Sequence, residues 1–163
     1  MAGFAFVLSC VFVSACAAAG RTDLRLSNEV SVSDTVLPAT PAAVWSVLPS
    51  VFEFLEIEAP AVDGESRTIG NPGFRAPSQI ARRPLSTYLQ CGNSLGGQNA
   101  DRYEVRLQLA VEVVAAPAGG SLVRTFIDAD ARPRGVSGDT VRCTSTGALE
   151  RLIVELVTDR LPG

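Results

Sequence analysis

The 163-residue chain contains no histidine and no lysine, so its 14 basic side chains are all arginine. Without histidine there is no imidazole general base, no Ser-His-Asp or Cys-His pair, and no zinc site of the usual mixed type. Aromatic residues are scarce at 6%, few for a generous ring-binding pocket. The net charge of −3 argues against the broadly basic surface that nucleic-acid binding requires, so nucleic acid is not an expected partner. Charged residues make up 19% and apolar residues 47%, a balance that argues against a disordered chain. At roughly 100–200 residues per domain, the length suits a single domain. The glycine-rich segment Gly92-Asn93-Ser94-Leu95-Gly96-Gly97-Gln98-Asn99 fits neither the dinucleotide fingerprint nor the phosphate-binding loop. No catalytic residue, metal site or cofactor is implied.

What is present begins at the amino terminus. Phe4 to Val13 is an apolar run broken only by Ser9 and Cys10, with small residues following from Ser14 to Gly20. Ten residues fall short of the ~20 needed to span a bilayer, so residues 1–15 read as a signal peptide. The run ends in Val13-Ser14-Ala15-Cys16, which resembles the bacterial lipobox. The resemblance implies cleavage before Cys16 and a diacylglycerol on its thiol, with residues 16–23 as anchor and tether and residues 24–163 as the domain. The other reading is an ordinary secretory signal cut at a small-x-small site. Lipid anchoring would place the domain outside the cytoplasm, on the cell envelope, with the membrane as a partner through Cys16. Ala17 after the cysteine resembles the pattern of lipoproteins sent to the outer membrane where the host has two.

Export leaves Cys91 and Cys143 as an even pair in an oxidising compartment, and one disulfide is expected between them. The competing reading, a reactive thiol, lacks a lysine or histidine neighbour to lower its pKa.

Along the domain, Leu24 to Val36 alternates Val30, Val32 and Val36 with Ser31, Ser33 and Thr35, which predicts a half-buried strand. Thr40-Pro41 is a helix start, and Val44 to Leu55 continues at helical spacing, with Pro49 expected to divide it into two pieces. Proline and glycine punctuate Glu56 to Gln79, leaving room for short strands around Ala61 and Arg67 to Ile69, and Leu85 to Cys91 reads as a further strand. The clearest pattern is Arg102 to Val113, in which Tyr103, Val105, Leu107, Leu109, Val111 and Val113 alternate with polar residues or alanine. This predicts a long antiparallel strand. After a turn at Ala116 to Gly120, Ser121 to Ala131 returns with Val123, Ile127 and Ala129 on one face and Arg124, Asp128 and Asp130 on the other. Leu149, Leu152, Ile153, Leu156, Val157 and Leu161 mark an amphipathic C-terminal helix, with Ser145, Thr146 and Gly147 as capping types.

This order makes an α+β fold, an antiparallel β-sheet wrapped around a long C-terminal helix, with a short helical segment after the first strand. The segment Leu37-Pro38-Ala39-Thr40-Pro41-Ala42-Ala43-Val44-Trp45-Ser46-Val47-Leu48 is similar to the start of helix-grip or START-like domains, the superfamily of polyketide cyclases and Bet v 1-like proteins. The resemblance implies a cavity between helix and sheet for an apolar or amphiphilic small molecule, lined by Trp45, Tyr103, Val105, Leu107, Leu109, Leu152 and Leu156. The same residues also read simply as core.

Three smaller groups complete the inventory. Arg75, Arg82 and Arg83 suit an anionic headgroup or a solvated face. Asp128 and Asp130 suit a carboxylate pair or charge partners across strands. Glu150 suits the positive end of a helix dipole. The expected function is non-catalytic binding of an apolar or amphiphilic small molecule by an envelope lipoprotein. The alternative is a structural or assembly module that binds another envelope protein, with a cyclase-like enzyme third.

Overall fold

The computed structural model describes residues 30–135 and 137–162. The expected signal peptide (1–15), Cys16 with its tether (16–23), and residues 24–29 of the expected first strand lie outside the described residues. In chain order the elements are β1 (Ser31–Leu37), α1 (Pro41–Phe54), β2 (Ala61–Asp63), β3 (Thr68–Arg75), β4 (Gln79–Ile80) and β5 (Arg83–Pro84). A 3-10 turn (Leu85–Thr87) leads to β6 (Leu89–Gln90), β7 (Asn93–Ser94), β8 (Gly97–Gln98) and the single turn α2 (Asn99–Arg102). Then come β9 (Glu104–Ala115), β10 (Ser121–Arg132), β11 (Val141–Ser145) and α3 (Ala148–Arg160).

The main sheet is antiparallel and runs β2-β3-β9-β10-β11-β6. β9 occupies one edge of β10 along its whole length, so β1 and β11 share the other edge end to end, at residues 121–127 and 129–131 respectively. The expected alternation in β9 holds: Val105, Leu107, Leu109, Val111 and Val113 are buried on one face. Each contributes about 1.5–3 kcal/mol of apolar burial. That face packs against α1, through Val44, Leu48, Val51 and Phe52, and against α3, through Leu149, Ile153, Leu156 and Val157. The fold is therefore α+β, with an antiparallel sheet and a C-terminal helix.

α1 begins as expected, with Thr40 Oγ1 accepting from the Ala43 N–H at 3.3 Å and Pro41 at the first position. Pro49 does not divide it. The helix runs unbroken through Pro49, which lies on its exposed face, where water can serve a carbonyl freed of its intrahelical partner. The buried residues on the opposite side, Val44, Leu48, Val51 and Phe52, hold both halves to one core.

The first strand is half-buried as its alternation predicts, with its valines on the outer side. Val32 and Val36 are 54% and 60% exposed, and Ser31, Ser33 and Thr35 take the inner side. Register decides this. Thr35 lies opposite Val123 and Ser31 opposite Ile127, both inward, while Val32 and Val36 lie opposite Phe126 and Leu122 on the outer face. A period of two specifies that sides alternate but not which side is buried.

β3 is longer than expected, eight residues through Gly70, Pro72 and Gly73, because a bulge between Asn71 and Phe74 absorbs the irregular backbone. The expected strand Leu85 to Cys91 shrinks to the 3-10 turn and two-residue β6. α3 starts at Gly147 (φ 77°), with Ser145 Oγ accepting from the Gly147 N–H at 3.0 Å and Thr146 Oγ1 from the Ala148 N–H at 3.2 Å. No helix among the described residues is long and apolar enough to cross a membrane.

Candidate functional site

A cleft of about 310 Å³ lies along one flank of α3. Its floor is a stripe at i, i+3, i+4, i+7 and i+8 of that helix: Ala148, Arg151, Leu152, Glu155 and Leu156. Phe54, the last residue of α1, closes one end, and the Arg160 guanidinium sits over its ring at 5.2 Å from the centroid. Ala81, Arg83 and Tyr88 form the opposite wall.

That wall is held by identifiable bonds. Tyr88, only 2% exposed, donates its hydroxyl to the Ile80 carbonyl at 3.1 Å, which fixes it against the β4–β5 hairpin. Thr146, just before α3, donates its backbone N–H to the Tyr88 carbonyl at 2.9 Å and its hydroxyl to the Thr87 carbonyl at 2.7 Å. One residue beyond the β6–β11 pairing, Cys91 and Cys143 form the expected disulfide. The excursion between β3 and β9 is thereby stapled to the start of α3.

The hairpin itself is strained. Its two loop residues, Ala81 (φ 47°) and Arg82 (φ 61°), both adopt the left-handed conformation that favours Asn-Gly. The hairpin contributes Ala81 and Arg83 to the lining of the cleft.

Charge in the cleft is uncompensated. Among the described residues, Arg83, Arg151 and Glu155 make no ion pair. Burial raises the Tyr88 phenol above its ordinary pKa, and the neighbouring Arg83 cation opposes that shift.

The expected cavity residues separate. Leu152 and Leu156 line the cleft. Val105, Leu107 and Leu109 are sealed in the core, and Trp45 and Tyr103 pack half-buried against it, so none of these five reaches the cleft. The large side chains of α1 and α3 meet that face of the sheet directly. Cys16 lies outside the described residues.

Of the three arginines, Arg83 lines the cleft and Arg82 sits at the exposed hairpin tip. Arg75 pairs with Glu104 at 2.9 Å. Asp128 is buried and ion-paired with Arg142 across strands, while Asp130 lies opposite Arg106 and Arg142 in register without an ion pair among the described residues. Arg124 instead bonds Asp34 at 2.9 Å and Glu112 at 3.3 Å. Glu150 is buried in the first turn of α3 and accepts from Ser145 Oγ at 2.6 Å. Among the described residues, no group of three or more His, Cys, Asp or Glu is arranged to hold a metal ion.

Sequence reasoning missed Phe54, Ala81, Tyr88, Ala148, Arg151 and Glu155 as cleft residues. The stripe on α3 was readable as a helical face, but a left-handed Ala-Arg turn carries no glycine or asparagine to announce it. No family model, curated protein or solved structure matches the chain.

Proposed function

We propose that this chain is an exported envelope lipoprotein, anchored through Cys16, whose domain binds an apolar or amphiphilic small molecule without catalysis. The binding place in this reading is the cleft along α3. The observation that carries it is a concavity of about 310 Å³, at the lower end of small-molecule sites, that sets Phe54, Leu152 and Leu156 among the charged side chains Arg83, Arg151 and Glu155. The order of β1, α1, sheet and α3 supports a helix-grip-like domain. The lipobox-like Val13-Ser14-Ala15-Cys16 supports the anchor. Native mass spectrometry of the protein taken from its host membrane tests binding: a stoichiometric lipid-sized adduct across several gentle detergents is expected, and bare chain in all of them refutes it. Labelled fatty acid tests the anchor, since Cys16→Ser must abolish incorporation; label that persists refutes it.

A second reading, an assembly module for another envelope protein, draws on the outer sheet face. There Val32, Phe126 and Ala110 form one cross-strand row and Val36, Leu122 and Val114 another, separated by the ionic row Asp34, Arg124 and Glu112. Co-purification of one partner at fixed stoichiometry, lost in Val32→Asp and Val36→Asp, would favour it.

A further inference from the structure

We propose that the cleft selects single-tailed amphiphiles with an anionic head, held between Arg83 and Arg151, with the tail laid along Leu152 and Leu156 toward Phe54. This rests on the reading of the cleft as a binding site and adds the chemical class of its ligand. The two arginines come from different elements around the cleft, one from the strained hairpin and one from the first turn of α3. Among the described residues neither has a carboxylate partner, so an incoming anion would not have to displace one. Guanidinium forks suit carboxylate and phosphate oxygens. The N-terminal end of the α3 dipole adds to the same sign.

Residues 151 to 160 span about 13 Å, from the arginine end past Leu152 and Leu156 to the Phe54 ring. Glu155 is the one acid in the lining, so the site carries two positive charges against one negative. That balance matches a head of single charge and penalises a cationic one.

The test uses the whole lipoprotein in a maltoside detergent, with dodecanoate, dodecyl phosphate, dodecanol or dodecyltrimethylammonium added below micellar concentration. Native mass spectrometry reads occupancy. Dodecanoate is expected to bind one per chain at least tenfold tighter than dodecanol, and dodecyltrimethylammonium weakest. Dodecyl phosphate above or below dodecanoate identifies which oxyanion the pair of forks fits better. Arg83→Gln and Arg151→Gln should each lower dodecanoate toward the dodecanol level and leave dodecanol unchanged, whereas Arg75→Gln should change neither. Both cleft arginines are exposed, so their replacement leaves the core untouched. Equal binding of dodecanoate and dodecanol overturns the head assignment but leaves the cleft as an apolar site. A preference for dodecanoate that survives both arginine changes overturns it too, by placing the anion elsewhere. Failure of all four probes overturns the cleft reading as well.

Discussion

Removing the Cys91–Cys143 disulfide by Cys91→Ala with Cys143→Ala should cost about 4 kcal/mol of stability. The bridge joins residues 52 positions apart, and loop-closure entropy in the unfolded chain gives that figure for a loop of such length. Both cysteines are more than nine-tenths buried, but alanine leaves only a sulfur-sized gap, so packing adds little. Against a typical total of 5–15 kcal/mol the loss is a large share. Urea unfolding of the oxidised chain, the reduced chain and the double variant measures it, provided the slope stays constant. The loss should also be local in its first effect. The bridge backs the Thr146 bonds to Thr87 and Tyr88, so amide exchange should quicken in β6 and β11 before β9 and β10. A loss below about 1 kcal/mol, or exchange that rises first in the β9–β10 ladder, would refute this account.

Three other outcomes follow from particular residues. Replacing Ala81-Arg82 by Asn-Gly should stabilise the fold by about 1–2 kcal/mol, since each L-residue held left-handed costs on that order, and a lower urea midpoint would show the turn is not strained. Gly70→Ala should destabilise by about 2–3 kcal/mol, because a Cβ there would press on the Leu109 carbonyl and lie 2.8 Å from Ala110 Cα; an unchanged melting temperature would contradict that close approach. Tyr88→Phe should cost about 1 kcal/mol by leaving the Ile80 carbonyl without its donor. Tyr88 also predicts a pH slope. Above about pH 10 the unfolded tyrosine loses its proton while the buried one, raised in pKa, keeps it, so stability falls as pH rises, and the phenylalanine variant should show a smaller fall in urea melts between pH 9 and 11.

Much of the fold was readable before any coordinates. The β9 alternation, the Thr40-Pro41 start of α1, the apolar stripe of α3 and the Cys91–Cys143 pairing all emerged as expected. Each rests on neighbours within a few residues or on a count of cysteines. Misreadings arose where a distant partner set the answer. Pro49 was judged by its local cost, but the core contacts on either side of it lie on other elements. Within β3, Pro72 and Gly73 sounded like a break, yet pairing with β9 carries the strand through a bulge. The cleft was least legible, because its walls are brought together from α1, the β4–β5 hairpin, the segment at Tyr88 and α3.

The residue order alone settles periodicity, caps and the chemistry on offer, with no histidine or lysine and two cysteines for one bridge, because these depend on identity and short spacing. Which face of β1 meets the helices, and which arginine of Arg75, Arg82 and Arg83 reaches the cleft, depends on strand register and on hairpin docking. Both are set by contacts across long stretches of chain, where burial of the whole core outweighs any local preference.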